Sequence, residues 1–309
     1  MNDLARPNGF AVDLGGTKTA VARVVDGVVV ERKTARTDGQ ATPNSYVETM
    51  RSLLAEIGYQ RGDNLGVAIT GRVDASGVWN AVNLGTLTQV SAVPIAGLIG
   101  EQIGPANVMN DAAAATLAEA KYGAGRGYEN FGYITVSTGV GGGLFLGGRL
   151  HQSANGLAGH VGFTSSPMGK DMCGSGRFGT VESVAGGNAI AKASMAAGHP
   201  ALDAKEVLAR ARMEEKWAVA IVDRSARAVA ELCADLTATL GLETIIIAGS
   251  IGLAEAYIDR ILRHVSTFPD FTRPNPTHSK LGHDGPLLGA LVLSDKPAQA
   301  SEAWRARIL

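Results

Sequence analysis

One pattern occurs twice in the chain and narrows what it can fold into. Residues 10–14 (FAVDL) read as a strand, Gly15-Gly16-Thr17-Lys18 as a glycine-rich turn, and residues 20–30 (AVARVVDGVVV) as strand, hairpin turn, strand, with Asp26-Gly27 as the hairpin signal. At residues 133–150 (YITVSTGVGGGLFLGGRL) the order strand, Gly-rich turn, strand, Gly-Gly turn begins again. Two such openings imply a duplicated, two-lobe architecture. The length of 309 residues agrees, because a single core stops growing near this size. Chance is the competing account, since 40 of the residues are Gly.

The remaining segments fit an α/β chain. Helical spacing of apolar residues runs through 43–57, 187–197, 203–213, 216–240 and 252–265. Segments 65–71 and 244–250 read as buried strands ending at small residues. Segment 107–111 reads as a short strand leading into a helix that ends at Gly123. Residues 267–286 carry four Pro and read as loop; 287–294 are apolar. Net charge is −1, which argues against a large nucleic-acid footprint. Two cysteines, Cys173 and Cys233, make no disulfide framework and point to a reducing, cytoplasmic setting. The start of the chain lacks the apolar stretch of a signal peptide, and no apolar run reaches the ~18 residues of a membrane span.

Several of these turns carry residues suited to phosphate chemistry. Adjacent glycines at Gly15 and Gly16 let backbone N–H groups approach an anion, and the Thr17 hydroxyl adds a contact. Asp13 would repel phosphate, so its natural task is to hold Mg²⁺ through water; a tight hairpin with a solvated Asp is the plain alternative. Thr138, Gly139, Gly141, Gly142 and Gly143 form a second candidate cradle, so one nucleotide would be gripped between two lobes. Gly249 and Ser250 end a third strand, where small residues would let adenine and ribose lie against the backbone; close helix–strand packing explains them almost as well. Asn110-Asp111 sits where a helix begins. Asp111 is either an ordinary N-cap or a general base for a sugar hydroxyl, with Asn110 holding a neighbouring hydroxyl. His160 lies among glycines in NGLAGHVGF and so is a candidate to face a ligand. Gly174, Gly176 and Gly179 match G-x-G-x-x-G, but a polar, Pro-containing stretch precedes them where a nucleotide-binding strand belongs.

These elements together resemble the ROK family of sugar kinases, within the actin-like ATPase superfamily. The resemblance rests on DLGGTK at 13–18, NDAAAATLAEA at 110–120, ITVSTGVGGG at 134–143, GLAGHVG at 156–162, CGSGRFGTVES at 173–183 and IIIAGSIGLAE at 245–255. It implies an α/β, actin-like ATPase (ribonuclease H-like) duplicated fold with an interlobe cleft. The lobes would be residues 1–115 and 116–286, with a C-terminal helix over 287–309 joining the first. It implies ATP and Mg²⁺ as reactants and a homodimer. Asp111 would be the catalytic base, with Gly71, Asn83, Asn110, His160 and Glu182 at the sugar and Lys18 among the nucleotide-phosphate elements. Within the family the chain resembles the bacterial N-acetylmannosamine kinases, on His160, where the glucokinases carry Glu, and on residues 82–85 and 249–255. The implied reaction is phosphorylation of N-acetylmannosamine at its 6-hydroxyl, in amino-sugar and sialic acid catabolism. A glucokinase or fructokinase is the enzymatic alternative. A sugar-responsive repressor is the non-enzymatic one, disfavoured because few residues precede Asp13.

One departure is large. The family's zinc site uses one His and three Cys, whereas here those positions read Phe163, Cys173, Ser175 and Thr180. Tetrahedral structural zinc needs four N or S ligands, so no structural zinc is expected. Apolar burial of Phe163, with Phe178 as its packing neighbour, is the expected replacement.

Overall fold

A computed structural model describes residues 6–83, 85–200 and 202–294. The first lobe comprises β1 (Gly9–Leu14), β2 (Lys18–Val25), β3 (Val28–Arg36), α1 (Pro43–Glu56), β4 (Leu65–Ile69), β5 (Arg72–Val73), β6 (Trp79–Asn80), α2 (Ile95–Gln102) and β7 (Asn107–Asn110). From there α3 (Asp111–Tyr122) leads to β8 (Phe131–Val136), β9 (Val140–Leu146) and β10 (Arg149–Leu150). The helices α4 (Glu182–Ala185), α5 (Gly187–Ala196), α6 (Ala204–Arg212) and α7 (Lys216–Leu240) follow. β11 (Thr244–Ala248), α8 (Gly249–Gly252), α9 (Tyr257–Val265), β12 (Pro276–His278) and α10 (Gly285–Ser294) complete the order.

The two main sheets repeat one topology, β3-β2-β1-β4-β7 and β10-β9-β8-β11-β12. In each, an antiparallel meander of three strands is extended by two parallel ones. The sequence repeat is therefore a structural one. Both hairpin signals hold: Asp26 and Gly27 have φ of 48° and 73°, and Gly147 and Gly148 have 56° and 74°. Positive φ at both central residues matches the twist of the flanking strands.

Two helices cross between the sheets. α3 follows β7 but packs on β8 and β9, and α10 follows β12 but packs on β4 and β1. The helices also pack on each other, so this crossing joins the two sheets. The Ala run of α3 suits this place, because Ala112, Ala114, Ala115 and Ala118 are all buried. Where larger side chains would hold elements about 8–10 Å apart, small ones let backbones approach. A Cβ on Gly289 of α10 would lie 1.7 Å from the Ala114 carbonyl oxygen.

Two sequence expectations need correction. The proline-rich segment 267–286 is not all loop: it contributes β12, paired in parallel with β11. Pro276 is tolerated because β12 is an edge strand. The helix expected over 252–265 is broken, since Ala256 takes a left-handed φ of 63° and α9 starts after it. The apolar run at 287–294 belongs to α10; residues 295–309 of the expected C-terminal helix lie outside the described residues.

Candidate active site

Strand alternation sets the floor of the cleft. On β1, Val12 and Leu14 point into the core beneath α1, so Ala11 and Asp13 point to the opposite face, where Ala11 packs with Leu287 and Leu288 of α10. Asp13, the last residue but one of β1, thus lies on the inner face near the Gly15–Lys18 turn. That turn closes on itself through Gly15 N–H donating to the Lys18 carbonyl at 2.9 Å.

Two strands away, β7 delivers Asn110 and Asp111 to the start of α3. Asn110, not Asp111, is the N-cap: its Oδ1 accepts from Ala113 N at 3.0 Å. Its Nδ2 donates to the Gly71 carbonyl at 2.8 Å and to Asp111 Oδ1 at 3.0 Å. Gly71 has φ of 98°, and a Cβ there would lie 2.7 Å from the Asn80 carbonyl oxygen, so only Gly turns the chain this way. Asn110 therefore aims Asp111 and ties it to the end of β4.

Both carboxyls titrate far above the usual carboxylate range. Burial pushes Asp111 up to about 6, against the pull of hydrogen bonds from Ala112 N, Thr70 and Asn110. Burial and then the Asp111 charge push Asp13 up to about 7, with Lys18 and Arg32 opposing. The fold leaves these two anionic groups short of positive charge.

In the second lobe, Ser137–Gly139 make the β8–β9 turn, closed by Ser137 N–H donating to the Gly139 carbonyl at 2.9 Å. The start of α5 is fastened beneath it by Gly187 N to Ser137 O at 2.7 Å and Asn188 N to Thr138 O at 3.1 Å. Ser250 joins the same cluster, 3.0 Å from Ser137 Oγ. Gly249 has φ of 87°, with the Val136 carbonyl oxygen 2.3 Å from where a Cβ would sit. Gly141, Gly142 and Gly143 are not in the turn but in β9. Their missing side chains let other elements close on the strand: Thr116 of α3 lies against Gly143 and Val161 against Gly142.

The sugar-side candidates meet across the seam between lobes. Arg72 of β5 lies against Gly156, in the loop that carries His160, and the two lobes are stitched there by Ala75 N donating to the Ala154 carbonyl at 3.1 Å. Burial holds His160 below its usual pKa, and the Arg72 charge adds to this, so the ring is neutral at pH 7. Its Nδ1 is 3.2 Å from the Leu157 carbonyl. With the proton on Nδ1, Nε2 is left as an acceptor. Asn83 of the first lobe abuts Gly174 of the second, and Glu182 accepts from Val140 N at 3.0 Å and Gly174 N at 3.2 Å. Asn83, Thr138, Gly139, Gly174 and Glu182 line one interlobe cavity of about 110 Å³.

The segment that bears zinc in the family is here an irregular hairpin. Val181 N donates to Thr164 O, Ser166 N to Gly179 O, Gly179 N to Asp171 O and Cys173 N to Arg177 O, each at 2.9 Å. The Cys173 sulfur lies 3.0 Å from the Ser175 hydroxyl. The expected Phe163–Phe178 packing is not what forms. Phe178 is 63% exposed, and Phe163 instead stacks on His160 with ring centroids 5.7 Å apart. Phe163 thus fixes the plane of the His160 ring. Sequence reasoning missed Arg72 and Thr70; their one signal was adjacency to Gly71.

The ROK family pattern matches residues 9–296. The chain is 38% identical over 294 residues to the N-acetylmannosamine kinase of Haemophilus influenzae strain PittGG, covering 93% of this chain and 97% of that one. A ROK hexokinase structure from Thermus thermophilus matches at 28% identity with a TM-score of 0.74, covering 92% and 96%. A ROK glucokinase of Streptomyces griseus, solved with glucose and AMPPNP, matches at 23% identity with a TM-score of 0.79, covering 93% and 98%. Matching along nearly its whole length, with the sheets repeated and both turns in place, the chain belongs to the ROK family.

Proposed function

We propose that the protein transfers the γ-phosphoryl group of ATP to the 6-hydroxyl of N-acetylmannosamine, in cytoplasmic amino-sugar catabolism, as a homodimer. The observation that carries the reaction class is the Asp111 carboxyl. Asn110 takes over the capping of α3, which leaves Asp111 as a half-buried carboxylate with an elevated pKa at the cleft floor. Such a group accepts the hydroxyl proton as the oxygen attacks phosphorus. The relatives supply the sugar, together with neutral His160, whose free Nε2 can accept from an acetamido N–H. Asp13, raised to about 7 by burial and by the Asp111 charge, fits Mg²⁺ held through water. Magnesium there would offset charge on the phosphate oxygens. The Gly15–Lys18 and Ser137–Gly139 turns offer backbone N–H groups to those oxygens, and Ser250 is within reach of the second turn. Lobe closure about the α3–α10 crossing would exclude water, so that ATP is not simply hydrolysed.

A panel of hexoses and N-acetylhexosamines in a coupled ATP-consumption assay tests the assignment. The expected result is a kcat/KM for N-acetylmannosamine at least tenfold above that for glucose. In His160→Glu the ratio should fall toward one. Glu is acceptor-only when ionised and brings a charge near Arg72, so the binding geometry changes. A wild type that prefers glucose, or a ratio unmoved by the substitution, defeats the substrate assignment.

The enzyme should also work without zinc. Only one thiol remains at the four family positions, and four backbone hydrogen bonds hold the segment instead. Elemental analysis of purified protein should find well under one zinc per chain, and magnesium alone should restore activity after chelation. Stoichiometric zinc, or restoration by zinc but not magnesium, is the contrary outcome.

A further inference from the structure

Glu182 is the first residue of α4, directly beneath the second phosphate turn. Its two carboxylate oxygens are shared between different elements. Oε2 accepts from Val140 N at 3.0 Å, at the exit of the Ser137–Gly139 turn. Oε1 accepts from Gly174 N at 3.2 Å, in the middle of the zinc-less hairpin. The fit is tight: a Cβ on Gly139 would lie 2.4 Å from Oε2, so the turn wraps the carboxylate itself. On its far side Gly174 presses against Asn83 of the first lobe, where a Cβ would lie 2.5 Å from Asn83 Nδ2. One carboxylate thus joins the phosphate turn, the sugar-side hairpin and, through Gly174, the opposite lobe.

We propose that Glu182 is a positioning residue that couples the sugar pocket to the second phosphate turn. Each carboxylate oxygen has acceptor capacity left after its backbone bond. A sugar hydroxyl donating to Glu182 adds a bond to a group already holding Val140 and Gly174, and so orders the turn that receives the nucleotide. Ordering done by the first ligand is not required of the second, so sugar and nucleotide strengthen each other's binding. Four backbone hydrogen bonds hold the hairpin together, and the Glu182 carboxylate ties it to the phosphate turn, which makes hairpin and turn a single unit. This inference rests on the sugar kinase reading above.

Hydrogen exchange and calorimetry test it on the full chain. N-acetylmannosamine alone, and glucose in a parallel sample, is added to wild type, and amide exchange is followed in peptides spanning 137–143 and 171–176. With the sugar the enzyme phosphorylates, both peptides should gain protection together, in the absence of any nucleotide. The dissociation constant of AMPPNP should fall about 5–10-fold when that sugar is saturating, within the usual range of coupling between sites. In Glu182→Gln one amide hydrogen must face a backbone N–H donor, so one of the two bonds is lost. The sugar effect on AMPPNP should then shrink to less than twofold even at sugar saturation. Turnover without the shared protection overturns the coupling and leaves the kinase reading standing. Protection confined to 171–176, or an undiminished effect in the variant, overturns it equally. Absence of turnover with every sugar in the panel strikes the kinase reading itself. The wild-type exchange measurement decides the coupling even if Glu182→Gln fails to fold.

Discussion

Asp111→Asn should lower kcat by about 10²–10⁴-fold, the usual contribution of a positioned general base, while sugar and AMPPNP dissociation constants move less than about threefold. Asn keeps the shape, and its Oδ1 can still accept from Ala112 N and from Asn110 Nδ2, the bonds the carboxylate accepts now. What it loses is the ability to take a proton. The wild-type kcat/KM should fall about tenfold per pH unit below about 6, where Asp111 becomes protonated. Stability gives an independent check with a definite sign. Burial raises the Asp111 pKa above its unfolded value of 3.8, so folded-state stability is lost progressively as the pH rises from about 4 to about 6, and the full cost is present above that. Asp111→Asn should therefore melt at or above the wild-type temperature at pH 8, and the gap should close as the pH falls below about 4. Activity within threefold of wild type would reduce Asp111 to a helix-start residue. A melting point several degrees lower at pH 8 would mean that its charge is compensated rather than stranded.

What could be read in the sequence was what local chemistry encodes. The hairpins at Asp26-Gly27 and Gly147-Gly148 were legible because positive φ at two central residues nearly demands Gly, Asn or Asp. The long helix α7 was legible from its period, and the buried strand β11 from its unbroken run of Ile. The three-residue β12 was not: three residues carry no period, and its Pro spoke for a loop. The ribbon of β5 and β6 has two residues a side and escaped for the same reason. In the site, Asp13 and Asp111 were visible as carboxylates beside turns, but the sequence left Asp111 divided between cap and base. The cap half of that question turned on a single hydrogen bond, from Ala113 N to Asn110 Oδ1. The glycines at 141–143 suggested a phosphate cradle, and the fold uses them for close packing of β9 against α3 and Val161. Arg72 and His160 are far apart in the chain, so no local pattern announces that the lobes bring them near each other. Phe163 was read as a core residue replacing a metal ligand. It became a platform for His160 because the turn at Val161–Phe163 carries both rings on one side.

Gly289→Ala should do more damage than any other methyl-sized change at the α3–α10 crossing. The added Cβ would fall 1.7 Å from the Ala114 carbonyl oxygen and 2.3 Å from its carbon, and these are backbone atoms that cannot rotate away. α3 has nowhere to retreat, because its other side already meets β9, where a Cβ on Gly143 would lie 2.0 Å from Thr116 Oγ1. The helices must separate, opening the packing among Ala118, Leu287 and their neighbours. Overpacking of this kind costs about 1–3 kcal/mol or more. For a chain of this size that lowers the melting temperature by about 2–5 °C. The loss should not stop at stability. Asp111 is the first residue of α3, so any shift of that helix moves the proposed base relative to the phosphate turns. A misplacement of ~1 Å can cost about 10²-fold in rate, so kcat should fall far more than the fraction unfolded at the assay temperature accounts for. Gly97→Ala on α2 is the matched control. It adds the same methyl to a helix at an exposed position with nothing within 4 Å, so it should raise the melting temperature slightly and leave kcat unchanged. If Gly289→Ala matches Gly97→Ala in both measurements, the crossing is looser than its contacts imply and is not the element that holds Asp111 in register with the second lobe.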